Sequence, residues 1–339
     1  MSDPVLSVRN LTTHLTTPSG RITACDDVSF DLRSGEVLGL VGESGSGKTM
    51  TALSVLGLLP SGVGRVARGE IILDGTDLTK LSRRRLREIR GRDVGVVFQD
   101  PSSSLNPVMT VGDQVVEALA AHDADVSNAS GMRRAVELLT LVGIPDPGSR
   151  VAQYPHEYSG GMRQRAMIAI AIANQPKVLI ADEPTTALDV TIQAQVLDVL
   201  RAARRETNAG VILITHDLGI VAEMADRVAV MYAGRIVETG TVRDLFRNPS
   251  HPYTVGLLAS LPLLSDMGAR LQPIAGVPPS GTDIPTGCPF HPRCPLWRER
   301  IDCVEVKPPL RAVGDGHFSA CHFLEEVPAA GLFAREGRT

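Results

Sequence analysis

The sequence lacks any hydrophobic run long enough to cross a bilayer. A spanning helix needs ~20 mainly apolar residues. The most apolar stretch, residues 167–173, is short and follows Arg163 and Arg165. The opening Met1-Ser2-Asp3-Pro4 lacks both the basic start and the apolar core of an export signal. The chain is therefore expected to stay in the cytosol and to reach a membrane only by docking to another chain. An excess of one charge sign is also missing. The formal net charge is −4, which gives no ground for a nucleic-acid partner. The one basic run, Arg83, Arg84, Arg85, Arg87, Arg90 and Arg92, reads as a solvated helix face. No internal repeat and no low-complexity tract is present.

What is there is an ordinary globular composition over 339 residues, 43% hydrophobic and 21% charged. That length suggests a main domain plus an appendage. Residues 5–30 alternate apolar and polar side chains around the turn Pro18-Ser19-Gly20, which predicts paired strands. Glu36-Val37-Leu38-Gly39-Leu40-Val41, Val178-Leu179-Ile180-Ala181 and Val211-Ile212-Leu213-Ile214 are short apolar runs. Buried strands of a parallel sheet look like this. Helical patterns separate them, so the expected class is α/β, a mainly parallel sheet with helices on its faces. Over residues 111–144 the period is helical, with Ala135, Leu138, Leu139 and Val142 on one stripe. Beyond about residue 240, prolines become frequent: Pro249, Pro252, Pro262, Pro273, Pro278 and Pro279.

Gly42-Glu43-Ser44-Gly45-Ser46-Gly47-Lys48-Thr49 follows the first buried run and fits Gly-x4-Gly-Lys-Ser/Thr in full. Glycines let successive N–H groups converge on phosphate oxygens, and the helix that begins here adds its positive end. Lys48 can reach β- and γ-phosphates, and the Thr49 hydroxyl can bind Mg²⁺. The second run ends in Asp182-Glu183. There Asp182 suits Mg²⁺ and Glu183 suits orientation of an attacking water. The third ends in Thr215-His216-Asp217, which puts His216 at the ligand-binding edge of a parallel sheet. The loop motif by itself points to a nucleotide site, whereas the acidic pair and the histidine are weak signals alone; three buried strands delivering all of them to one edge make a constellation.

With these residues in hand, the chain resembles the ABC transporter ATPase family over nearly its whole length. Tyr158-Ser159-Gly160-Gly161-Met162 resembles the family signature, with Met162 where glutamine is commonest. Gln99 resembles the Q-loop, Ala187-Leu188-Asp189 the D-loop and His216 the switch histidine. A finer resemblance is to the ATPases of oligopeptide and dipeptide importers. It rests on Phe98-Gln99-Asp100-Pro101, Ser104-Leu105-Asn106-Pro107, Tyr154-Pro155-His156-Glu157, His251-Pro252-Tyr253-Thr254, Gly287-Cys288 and Pro292-Arg293-Cys294.

The resemblance implies a P-loop ABC ATPase core with an antiparallel β subdomain, a helical insert and a C-terminal extension. The core is expected over residues 1–105 and 165–245, the helical subdomain over 106–164 and the extension over 246–339. It implies ATP and Mg²⁺ contacts at Gly42, Ser44, Gly45, Ser46, Gly47, Lys48, Thr49, Met50, Gln99 and Asp182. Catalytic roles fall to Glu183, His216 and Gln99. Ser159, Gly160 and Gly161 would address the ATP of a partner, with Asp189 in the D-loop. The implied partners are a paralogous ATPase subunit in a heterodimer, two transmembrane permease subunits and an extracytoplasmic solute-binding protein. The implied place is peripheral, on the cytoplasmic face of the cell membrane. Importers of nickel or another small solute fit the ATPase residues as well, and a soluble non-transport ABC ATPase fits less well. One departure stands out. Where many members stack adenine on an aromatic residue, this chain has Leu15, with His14 beside it.

Four of the five cysteines fall late, as Cys288-x5-Cys294-x8-Cys303-x17-Cys321. A reducing cytosol disfavours disulfides, and the close pairs of structural zinc sites are absent. Four thiolates on irregular loops suit an iron–sulfur cluster, and the resemblance implies a [4Fe-4S] group at these positions. Unligated thiols and a zinc clasp remain open readings. Cys25 reads as an inert buried residue.

Overall fold

The computed structural model describes residues 3–186, 188–261, 273–279 and 281–327. Ala187 of the D-loop tripeptide, Pro262, Met1, Ser2 and the end of the expected extension from residue 328 lie outside the described residues. The strands are β1 (Leu6–Thr17), β2 (Gly20–Leu32), β3 (Val37–Val41), β4 (Gly64–Leu73), β5 (Thr76–Asp77) and β6 (Val94–Val97). They continue as β7 (Val178–Asp182), β8 (Gly210–Thr215), β9 (Arg227–Tyr232), β10 (Arg235–Thr241), β11 (Arg311–Gly314) and β12 (His317–Ser319). The chain forms two compact units.

The described residues of the first unit are 3–7, 31–37, 72–186 and 188–214. Its strands β6, β7 and β8 lie parallel, with Val96 opposite Ile180 and Ile180 opposite Ile212. Every residue of β7 and β8 is buried, as unbroken apolar runs require. The helical period resolves into helices Val111–Ala120 and Asn128–Leu141, each started by a hydroxyl that accepts from a backbone N–H in the first turn: Thr110 from Asp113 and Ser127 from Ser130. Such caps stabilise a helix by ~1 kcal/mol. Ala135, Leu138 and Leu139 are buried as the stripe predicts. Helix Gly160–Ala171 packs against both helices, against β6 and against helix Val190–Thr207. It is apolar on most of its surface because it is buried on most of it. Arg83, Arg84, Arg85 and Arg87 of the arginine run lie in helix Arg83–Ile89, which buries no residue and pairs Arg85 with Glu88 at 2.8 Å; Arg90 and Arg92 lie beyond its end.

The described residues of the second unit are 8–30, 38–71, 215–261, 273–279 and 281–327. β1 lies between β2 and β4 in one sheet. In the other, β3 and β9 are parallel, whereas β10 and β12 continue antiparallel and β11 closes a hairpin on β12. This added hairpin is the main feature that the proline-rich texture hides. A core of Val41, Val228, Val230, Tyr232, Leu245, Tyr253 and Phe290 joins sheet and extension. Glu238 is fully buried on β10 and accepts from the Ser250 N–H (2.7 Å), the His251 N–H (2.9 Å) and His317 Nε2 (2.8 Å). A buried carboxylate is tolerated only with such partners. Among the described residues, no helix is long and apolar enough to cross a membrane.

Candidate functional site

The glycine-rich loop leaves the end of β3 and enters helix Lys48–Val55. Gly42 holds φ 151° and Gly47 φ 105°. A Cβ at Gly42 would lie 2.2 Å from the Met231 carbonyl oxygen, and one at Gly47 would lie 2.6 Å from that of Ala24. Both the dihedral and the space therefore demand glycine. Gly234 N–H donates to the Ser46 carbonyl at 2.9 Å, tying the loop to the β9–β10 turn. Lys48 is buried, and its Nζ donates to the Gly42 carbonyl (2.7 Å), the Glu43 carbonyl (3.0 Å) and Ser46 Oγ (3.4 Å). Ser44, Gly45 and Thr49 are exposed on the rim, and Met50 is half-buried. A rim of this kind, at a helix start with an ammonium group folded under it, can receive a polyphosphate.

Glu43 is also held from outside the loop. Its N–H donates to the Tyr253 hydroxyl at 2.8 Å, and its carboxylate takes two bonds from Arg293, at 2.6 and 3.0 Å. Sequence reasoning missed this anchor. Its one sequence signal is that Tyr253 and Arg293 lie inside the motifs that carry the family resemblance.

In the first unit, Asp182 ends β7 in a buried position and Glu183 follows with φ 47°. Its N–H donates to the Ile214 carbonyl at 2.8 Å. Its Oε2 accepts from Gln99 Nε2 (3.0 Å) and from Thr186 Oγ1 (2.8 Å). The structure thus brings together Gln99 and Glu183, 84 residues apart in sequence. A non-glycine residue in the left-handed region is strained by ~1–3 kcal/mol and persists where its surroundings force it. Here the strain aims a carboxylate held by two donors. Ser159 caps helix Gly160–Ala171 by accepting from the Met162 N–H, with Gly160 exposed beside it. Asp189 caps helix Val190–Thr207 by accepting from the Ile192 N–H at 3.0 Å. In the second unit, exposed His216 precedes Asp217, whose carboxylate caps helix Leu218–Met224. His14 and Leu15 are half-buried on β1, and burial, then Arg21 and Arg65, push the His14 pKa down.

Cys288, Cys294, Cys303 and Cys321 line one cavity, together with Phe290 and Leu296. Cys303 sits in the short helix Ile301–Glu305 instead of on a loop. Burial, reinforced by the neighbouring cysteines, pushes the Cys288 and Cys294 thiols up to about 12. Cys321 is pushed to about 11 by burial, and Cys303 is raised for the same reason. Such thiols lose their protons readily only where a bound cation replaces them, and sulfur donors as a type suit a soft metal. Among the described residues, no three His, Cys, Asp or Glu side chains are arranged to hold a metal ion. Cys25 is buried, and burial pushes its thiol to about 11.

Comparison with known proteins decides the family. Residues 25–186 match the ABC transporter family, and residues 237–303 match the oligopeptide/dipeptide transporter C-terminal region. The dipeptide transport ATP-binding protein DppD of Bacillus subtilis is 51% identical over 324 residues, covering 96% of each chain. The oligopeptide transport ATP-binding protein OppD of Mycobacterium tuberculosis is 53% identical over 325 residues, 96% of this chain and 52% of that one. The chain belongs to the ABC transporter ATP-binding family. The dimeric structure of MJ0796, a bacterial ABC transporter cassette, is 28% identical with a TM-score of 0.62, covering 70% of this chain and 99% of that one. The expected fold class holds: this is an ABC ATPase cassette with parallel and antiparallel sheets and helices. An ABC ATP-binding subunit hydrolyses ATP in the service of transport, and the loop at residues 42–49 carries the family's phosphate motif.

Proposed function

We propose that this chain powers a membrane-embedded importer of dipeptides or oligopeptides, as a peripheral subunit on the cytoplasmic face. The observation that carries the solute class is the match of its C-terminal region to that of oligopeptide and dipeptide transporters, together with a full-length relative named for dipeptide transport.

Residues 42–49 take the triphosphate, with Lys48 turning from the loop carbonyls to the β- and γ-phosphates. Thr49 and Asp182 hold Mg²⁺, and Met50 borders the nucleotide. Glu183 accepts the proton of the attacking water, Gln99 reports the γ-phosphate and His216 stabilises the charge that develops on it. Ser159, Gly160 and Gly161 offer a second phosphate-binding helix start. One nucleotide uses one loop, so this end, with Asp189 near it, serves the ATP of a paralogous partner. Closing that heterodimer around ATP supplies the differential binding, about 5.5 kcal/mol, that a full switch of state requires. Hydrolysis removes the γ-phosphate link and lets it open. Two permease subunits receive the movement, and an extracytoplasmic solute-binding protein delivers the peptide. The working division is a core over 1–105 and 165–245, a helical subdomain over 106–164 and an extension over 246–339. Cys288, Cys294, Cys303 and Cys321 would hold a [4Fe-4S] cluster, which would supply a covalent tie among loops and a one-electron couple. Support for it is that all four thiols line one cavity.

The test is reconstitution of the chain with its partner ATPase, permeases and binding protein in vesicles. Peptide-loaded binding protein should raise ATP turnover several-fold, whereas nickel-loaded or empty preparations should not. Stimulation by nickel and not by peptides would move the solute class elsewhere.

A further inference from the structure

The turn that carries two of the four cysteines also grips the phosphate loop. Residues 288–294 are tied by backbone bonds from the His291 N–H to the Cys288 carbonyl and from the Cys294 N–H to the His291 carbonyl, both 3.1 Å. Arg293 projects from this turn and is nearly enclosed, its side chain 4% exposed. Its guanidinium spends both outer nitrogens on Glu43, at 2.6 and 3.0 Å. The remaining bonds, to the carbonyls of Ala275 (3.0 Å) and Ile274 (3.3 Å) and to the Tyr232 hydroxyl (3.4 Å), fix its position. Glu43 is the second residue of the phosphate motif, and its carbonyl accepts from Lys48 Nζ.

We propose that Arg293 is a positioning residue for nucleotide binding, making the phosphate loop's shape and charge depend on the turn that bears Cys288 and Cys294. The proposal deepens the reading of residues 42–49 as a nucleotide site and rests on it. Two physical effects act in the same direction. The two-pronged contact orders Glu43, so Lys48 waits in a loop that need not be ordered when phosphate arrives. It also neutralises a carboxylate next to a site for a strongly negative ligand. Coupling between two sites is reciprocal. Nucleotide binding must therefore steady the turn that bears Cys288 and Cys294.

The experiment measures MgADP affinity of the full chain by competition with a fluorescent analogue. Arg293→Met should weaken binding about tenfold, because it leaves Glu43 unpaired beside the phosphates. Glu43→Gln combined with Arg293→Met should recover most of that loss, since the repelling charge is gone. Arg293→Lys keeps the charge without the two-pronged contact and should fall between wild type and Arg293→Met. It keeps the test alive should Arg293→Met fold poorly. In the assembled transporter Arg293→Met and Arg293→Lys should raise KM for ATP and leave kcat unchanged, a split that general destabilisation does not produce. Amide exchange over residues 288–294 should slow on ADP binding in wild type and not in Arg293→Met. Wild-type affinity in both single variants overturns the proposal, and so does a double variant as weak as Arg293→Met. Failure of the wild-type chain to bind nucleotide at all would overturn the site reading itself.

Discussion

Glu183 combines three features that seldom coincide: a left-handed backbone at φ 47°, a place at the end of a buried strand, and two side-chain donors on one oxygen. The sequence shows only that an acidic pair ends an apolar run. Which carboxylate meets Gln99 depends on the backbone reversal after Asp182, which no local pattern encodes. Glu183→Gln keeps the shape and removes the carboxylate proposed as the base. We expect it to bind ATP with unchanged affinity and to lose turnover by at least ~100-fold, the usual contribution of a general base. Equilibrium binding alongside phosphate release checks this; turnover near wild type would place the base elsewhere. The glycines of the phosphate loop show the converse. Their motif announces them in sequence, yet the reason Gly42 and Gly47 accept no Cβ is the closeness of the Met231 and Ala24 carbonyls, contributed by distant strands.

At the scale of elements, buried strands and amphipathic helices were legible because each carries its own period. β3, β7 and β8 and the stripe at Ala135, Leu138 and Leu139 fall where the pattern places them. The hairpin β11–β12 was not legible. Its β11 is wholly exposed, so it lacks an alternating pattern, and β12 has only three residues. What seats the hairpin is the buried Glu238, which bonds His317 on β12 and the two N–H groups that open helix Pro252–Ala259. Glu238→Ala strands three buried polar groups at once. It should destabilise the chain by about 3 kcal/mol or more, since each buried polar group left without a partner costs ~1–3 kcal/mol. Urea unfolding gives the value, and a loss under ~1 kcal/mol would show that water substitutes for the carboxylate.

At the scale of the whole molecule, the extension is joined to the β-rich part of its own unit by charge as well as by its apolar core. Asp26 on β2 accepts from Arg235 (2.9 Å) and from Lys307 (2.7 Å). Burial by itself would raise the Asp26 pKa, but the bonds from Lys307 and Arg235 outweigh it and hold the carboxyl below its ordinary 3.8. A depressed carboxylate contributes stability above the unfolded pKa and loses it as pH falls through the folded one. Wild type should therefore exceed Asp26→Asn in stability at pH 6, and the gap should close below about pH 3.8. Thermal melts across that range decide it, and a constant gap would mean that packing, not charge, is responsible. The sequence by itself determined the family, the phosphate motif and the cassette's buried strands, because these depend on short contiguous patterns tied to one backbone geometry. Only the tertiary structure decided that Gln99 meets Glu183, that four scattered cysteines share a cavity, and that Arg293 reaches Glu43 from 250 residues away. Contacts between segments so far apart in the chain are set by how sheets and loops pack, and no local spacing records them.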